Sequence, residues 1–407
     1  MNFKQLLTAI FVTSSAITFA AEPTSTAVKI YGFVGNDFYY NSRQNLEMVD
    51  GVIHLFPKPK SISADGTDAN ATAQAEMLSV NTRVGLDITG TPVLGAKSSG
   101  KIEADFAGAG TNYFVLRIRQ AYMKLNWTKS ELTVGQTWHP FFSSVMPTTL
   151  SSNSGAPFQA FNRSPLVRFK QNLTPTLSAS AAAIYEMQYA SMGPSGTSNI
   201  YMKNSQIPNL FVGLENKAAN WTAGVGADYK RLKPDAKNYI NSLSATAYGL
   251  YSTGKFQLKG KAVLSQNLTD QLILGGYGVS QYAADKSTAT DYTNFNNFTG
   301  WVNAVYGTKL QAGLILGMSH NLGTTQDLAL STTNKVTAYG YGFYDQLVLD
   351  KLYRIAPQVS YNVSNFKMGV EYDCTAGRYG TMGINGKAKD TYSVVNNRVV
   401  ATVMYIF

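Results

Sequence analysis

Two basic pairs at alternate positions, Arg117/Arg119 and Arg168/Lys170, are the residues whose type and spacing point to chemistry in this chain. Residues two apart on an extended strand share a face, and a guanidinium offers a fixed fork of donors matched to carboxylates and phosphates. Arg163 stands just ahead of the second pair, and the acidic pair Glu103/Asp105 precedes the first. Such a set suits a track for anions, with the acidic pair facing it across a sheet or an opening so that the transverse field orients zwitterions. Simple ion pairing that only solvates an interior is the competing reading, and the sequence leaves both open. Covalent or metal chemistry has little support. His54, His139 and His320 lie far apart without His-x-x-x-His spacing, and Cys374 is the only cysteine, so no catalytic residue, metal or cofactor is expected. Serines are numerous, but none is singled out with a base and an orienting group.

The elements that would position these charges read as strands. Period-two segments start near residues 27, 77, 97, 112, 130, 164, 176, 208, 220, 243, 255, 298, 308, 351, 366 and 394. Turn chemistry marks short connections at Gly90-Thr91-Pro92, Asn126 to Lys129, Asn172 to Pro175, Asn216 to Asn220, Thr253-Gly254, Gly307 and Ser364-Asn365. Longer ones alternate with them, at about 41–76, 139–163, 191–207, 232–242, 268–297, 321–350 and 376–393, with one brief connection at 108–111. Short turns on one rim and long loops on the other describe an all-β, transmembrane antiparallel barrel. A further alternating stretch, Val336 to Tyr344, would add a seventeenth strand. Even parity places it inside a long loop as a strand extension above the membrane, leaving 16 strands.

Each strand has one apolar and one polar face. Strand 77–89 is expected to send Val80, Thr82, Val84, Leu86 and Ile88 outward and Ser79, Asn81, Arg83 and Asp87 inward. Strand 255–266 turns Lys259 and Lys261 inward, and strand 351–362 does the same with Arg354. The final strand turns Arg398 inward, with Val399, Ala401, Val403, Tyr405 and Phe407 facing lipid. Between Arg119 and Gln120 the polar parity changes; a β-bulge or a subunit contact at that strand would account for it.

Composition agrees with a membrane barrel. Charged residues are 14% of the chain, aromatics 12%, and the net charge is +10 without any Lys/Arg-rich run that would suggest nucleic acid. Residues 1–20 read as a secretory signal peptide, with Lys4 before a short apolar stretch and cleavage after Ala20, leaving one barrel domain at 21–407. The few residues before the first strand leave no room for a plug domain, which disfavours energised uptake. The loop His139 to Arg163, with Pro140-Phe141-Phe142, Pro147 and Gly155 to Phe158, is apolar for an outer loop, so it is expected to fold inward as a constriction or to pack at a rim between subunits.

Leu116 to Leu125 (LRIRQAYMKL) followed by Leu132 to Phe141 (LTVGQTWHPF) resembles the DcaP-like family of trimeric outer-membrane porins. Tyr353 to Tyr361 and the terminal strand resemble its Bacteroidota-type members. The resemblance implies a 16-stranded homotrimer in the outer membrane of a Gram-negative bacterium, passing small solutes with dicarboxylates among them. It places the family's basic constriction on Arg117 and Arg119, and by resemblance to other outer-membrane C-termini Tyr405 and Phe407 are the expected signal for the barrel assembly machinery. The expected function is a water-filled channel biased towards small anions. The expected pore-lining residues are Arg83, Glu103, Asp105, Arg117, Arg119, Arg163, Arg168, Lys170, Lys259, Lys261, Arg354 and Arg398. A structural or adhesive barrel with a plugged lumen and ligand-binding outer loops is the alternative.

Overall fold

The computed structural model describes residues 26–49, 51–107, 115–150 and 155–407; the expected signal peptide at 1–20 lies outside them. Among these residues no helix is long and apolar enough to cross a membrane, and the alternating segments form a closed antiparallel barrel. The wall begins with β1 (Ala27–Asn41), β2 in two pieces (Gln74–Leu78 and Arg83–Thr89), β3 (Lys97–Asp105) and β4 (Arg117–Asn126). It continues with β5 (Ser130–Trp138), β6 (Arg163–Asn172), β7 (Leu177–Ile184), β8 (Asn209–Lys217), β9 (Trp221–Leu232) and β10 (Ile240–Thr253). The remaining strands are β11 (Phe256–Gln266), β12 (Ala289–Gly307), β13 (Leu310–Thr324), β14 (Leu347–Val363), β15 (Phe366–Met382) and β16 (Ala388–Ile406). β16 pairs with β1 from Phe33↔Ile406 to Asn41↔Arg398, which leaves no sheet edge in lipid.

The wall is uneven in height. β3 to β8 are 8 to 10 residues long, which at roughly 3.3 Å per residue and a tilt near 40° just spans an apolar band of about 25 Å. β12 to β16 run 15 to 19 residues and project above that band. The extra length accounts for two differences from the sequence reading. β12 starts nine residues before the expected 298, and the expected long loop at 376–393 is a turn between β15 and β16, which pair up to Met382↔Ala388. Val336 to Tyr344 does lie in a long loop, where Ala338–Tyr341 pairs with the loop strand Gly275–Tyr282 rather than joining the wall.

Two bulges set the inward faces. Glu103 pairs with Gln120 but Ala104 with Ile118, so Arg119 is the extra residue and its side chain turns inward with that of Arg117. The second bulge overturns part of the expectation for β2. Pairing with β1 moves from Asp37↔Leu78 to Phe33↔Arg83, leaving Ser79 to Thr82 out of the ladder. Val80 is therefore buried in the interior, while Ser79 donates to Asn36 on the outside at 2.6 Å. No sequence signal between the two pieces separates this break from an uninterrupted strand.

The interior is packed from the long-loop side. A short hairpin in the first loop (Asn45–Met48 with Ile53–Pro57) buries Val52, Ile53, Leu55 and Phe56. These meet Phe158 and Phe161 of the 139–163 loop, Tyr189, Leu272, Leu274 and Trp301 in one apolar cluster.

Candidate functional site

The 139–163 loop enters the lumen and reaches the opposite wall. His139 accepts the Phe141 N–H at its ring Nδ1, 3.1 Å, which tightens the one-turn helix Pro140–Phe142 and sends the chain inward. Beyond it, the Thr148 N–H donates to Asn303 Oδ1 at 2.8 Å and the Leu150 N–H to Glu371 at 3.0 Å. Gln159 accepts from the Trp301 indole N–H at 3.0 Å, and Phe158 lies against Gly317, where a Cβ would meet its ring at 2.7 Å. A larger residue at 317 would push the loop off the wall.

Four expected pore residues anchor loops, and three of them, Lys261, Arg354 and Arg398, are withdrawn from open water. The Lys261 ammonium donates to the carbonyls of Phe141 and Phe142 at 2.9 and 2.8 Å, and Lys259 donates to Thr148 Oγ1 at 2.7 Å. Arg354 donates to the Ala156 carbonyl at 2.9 Å and the Leu55 carbonyl at 3.2 Å, faces Asp373 at 3.2 Å and reaches His54 Nε2 at 2.8 Å. Arg398 donates to the Gly51 carbonyl at 2.7 Å and stacks over Tyr39, 4.1 Å from the ring centre. Lys261, Arg354 and Arg398 are buried, which corrects their expected exposure to the pore; the infolded loops, whose carbonyls they hold, cover them. Burial and the Arg354 charge lower the His54 pKa to about 3, outweighing the Asp373 carboxylate that stands 3.1 Å from the same ring nitrogen.

The expected arginine ladder is divided. Arg117 grips Asp105 with two donors at 2.9 and 2.8 Å, and Arg119 joins Glu103 at 2.7 Å and Asp105 at 2.8 Å. Arg83 lies 3.9 Å from Glu103 and over the Phe33 ring. Glu103/Asp105 thus faces the first pair across the sheet, on the neighbouring strand. Arg163 is buried against Trp138, Phe161 and Tyr189, with ring centres 4.7 to 5.5 Å from its guanidinium carbon, and donates to Tyr189 Oη at 3.0 Å. Sequence reasoning could not find this cage, because Tyr189 comes from another loop.

Arg168 and Lys170 face a cleft of about 570 Å³ on the short-turn side of the infolded loop. Arg168 pairs with Glu131 at 3.1 Å, Lys124 with the same carboxylate at 3.0 Å, and Lys170 with Glu215 at 3.5 Å. Ser144 and Tyr248 also donate to Glu215. The side chains of Lys124, Arg168 and Lys170 are 25%, 26% and 35% exposed, so solvent reaches them. Trp138, Pro140 and Phe142 form the loop edge of the cleft. Lys124, Glu131 and Glu215 were not expected as a group; their inward parity on adjacent strands was the available signal.

A closed barrel with an apolar outer face, a charged interior and one loop folded across the lumen defines the porin class of outer-membrane channel. Residues 12–184, less than half of the chain, match the model of the DcaP outer membrane protein family, and that match together with the fold places the barrel in the Gram-negative outer membrane. The outer membrane channel DcaP of Acinetobacter baumannii shares the fold at 22% identity, covering 96% of this chain and 100% of that one, with a TM-score of 0.68. OmpT of Vibrio cholerae in its trimer form follows at 10% identity, coverage of 94% and 100%, and a TM-score of 0.54. OmpF of Salmonella typhi in complex with daunomycin has 10% identity, coverage of 93% and 97%, and a TM-score of 0.53. No curated protein sequence matches the chain.

Proposed function

We propose that the chain is a passive channel for small solutes, biased towards anions such as dicarboxylates, with the cleft beneath the infolded loop as its narrow passage. One observation carries this reading: Lys124, Arg168 and Lys170 line the cleft against two carboxylates, Glu131 and Glu215, and the cations stay open to solvent. An excess of positive charge in a confined aqueous passage raises the local concentration of anions. The loop at 139–163 is then the size filter, with Trp138 and Phe142 at its edge. Residues 1–20 direct export, and Tyr405 and Phe407, both about half exposed at the lipid face, are read by the assembly machinery. A homotrimer is the expected assembly, supported by the shared fold with the trimer form of OmpT.

The apolar cluster built from several long loops favours a second reading, a plugged barrel whose outer loops bind ligands. Swelling of liposomes carrying the protein separates the two. The channel reading predicts entry of a small dicarboxylate ahead of a neutral sugar of similar size and well ahead of a diamine. Entry of none of the three would overturn the channel reading in favour of the plug.

A further inference from the structure

The outer face from β7 to β12 carries many small side chains at mid-wall. Pairing registers place its outward residues in rows. The row nearest the long loops is polar or large: Tyr229, Leu243, Gln266 and Asn296. The row nearest the short turns is large and apolar, Trp221, Tyr251 and Leu258. Between them the rows hold Ala227 and Ala245, then Ala247, Ala262 and Gly300, then Ala223, Gly249 and Gly260, with the larger Val225, Leu264, Phe298 and Val302 standing beside them as ridges. Two apolar grooves that share Ala247 flank β9 and β10, one of about 810 Å³ reaching back across β8 and β7 to Phe169 on β6, the other of about 1180 Å³ reaching forward to Ile355 on β14. From Trp221 to Tyr229 the strand rises roughly 26 Å at ~3.3 Å per residue, or about 20 Å across the membrane once tilted, so the grooves lie at hydrocarbon depth.

Above the polar row, the same outward face of β9 continues into Arg231 and Lys233. Their charged groups sit 4.0 and 5.1 Å from the centre of the Tyr239 ring, which is itself exposed. Neither cation is in an ion pair among the described residues. The nearby carboxylate of Asp235 is engaged by Asn238, the Lys237 N–H and the Tyr292 hydroxyl. Tyr229 donates to Asn241 at 2.8 Å and Gln266 to Asn296 at 2.9 Å, which marks the level where the outer face becomes polar.

We propose that this face binds one phosphorylated lipid of the outer leaflet, its phosphate held between Arg231 and Lys233 and its acyl chains lying in the two grooves that meet at Ala247. Arginine and lysine with no carboxylate partner match a phosphate. The grooves open on the outer face of the wall, and their meeting at Ala247 suits a headgroup carrying more than one chain.

Native mass spectrometry of the detergent-purified barrel titrated with diphosphoryl lipid A, and with the same lipid stripped of phosphate, tests this. The expected result is one retained diphosphoryl lipid per protomer. Binding should be roughly tenfold weaker for the stripped lipid, for the double variant Arg231→Ser/Lys233→Ser, and for the groove-filling Ala247→Trp. The double variant lies above the hydrocarbon and carries the test if Ala247→Trp does not fold. Absence of a stoichiometric adduct, or equal binding of the stripped lipid, would overturn the proposal. So would an Ala247→Trp protein that changes oligomeric state but keeps its lipid, since the grooves would then be an interface between copies of the chain.

Discussion

On β11, β14 and β16 the buried inward cations Lys261, Arg354 and Arg398 end on loop backbone; on β4 and β6 the cleft-facing ones end beside water. Lys261, Arg354 and Arg398 are buried and donate to carbonyls of the first loop and the 139–163 loop. Lys124, Arg168 and Lys170 are a quarter to a third exposed and share two carboxylates across neighbouring strands. The same residue types therefore do different work. A cation that leaves water needs a full set of partners, because a buried charge without them costs several kcal/mol. Loop carbonyls meet that need and fix the loop's position in return. A cation that stays in water keeps its field available to solutes. The tall wall thus holds the infolded loop, and the short wall carries the cations left open to solvent.

The largest effect should come from the anchoring wall. Arg354→Met removes the partner of Asp373 and the donor to Ala156 and Leu55, and should cost about 3–5 kcal/mol of stability, measured as a lower urea midpoint in lipid vesicles. Where the variant still folds, a loosened loop should also raise the unit conductance. Lys261→Met should act in the same direction with a smaller loss, about 1.5–3 kcal/mol, since it removes bonds to two loop carbonyls without leaving a buried carboxylate.

His54 tests the anchor by pH. Its folded pKa is lowered to about 3 against an ordinary 6.5, so between those values the unfolded chain binds the proton and the folded chain does not. The contribution of His54 to stability is complete above about pH 6.5 and declines as pH falls towards 3, by at most about 1.4 kcal/mol per unit. His54→Gln should remove that part of the slope in urea midpoints measured from pH 7 to 4; an unchanged slope would show that His54 is not held neutral. On the open wall, Arg168→Glu with Lys170→Glu should shift the urea midpoint least of all. The same pair should move ion selectivity towards cations, and a large loss of stability instead would erase the distinction between the walls.

Most of the barrel was legible because a period-two pattern with lipid on one side and water on the other leaves strand positions little freedom. The strand count and the inward turn of Lys259, Lys261, Arg354 and Arg398 follow from parity, whereas the parity change after Arg119 left a bulge and a subunit contact open and the pairing of β3 with β4 has the bulge. Parity fails where the ladder itself fails: Ser79 to Thr82 sits between two alternating pieces, and Val80 is as apolar as a lipid-facing residue while pointing inward. Strand length above the membrane was also hidden, since β12 and β16 extend into segments rich in Asn, Thr and Tyr that read as loop. The jobs of the inward cations were the least legible. Arg354 meets a carbonyl 198 residues away in sequence and Arg398 one 347 residues away, and periodicity carries no information about such partners.

The reversal potential of single channels in a salt gradient tests the central claim most directly, that cations left open on the short wall bias an open passage towards anions. Ohmic channels are expected, with an anion-selective reversal potential that weakens, or changes sign, in the Arg168→Glu/Lys170→Glu protein while unit conductance stays of the same order. A cation-selective wild type, or a folded protein that conducts nothing, would contradict it.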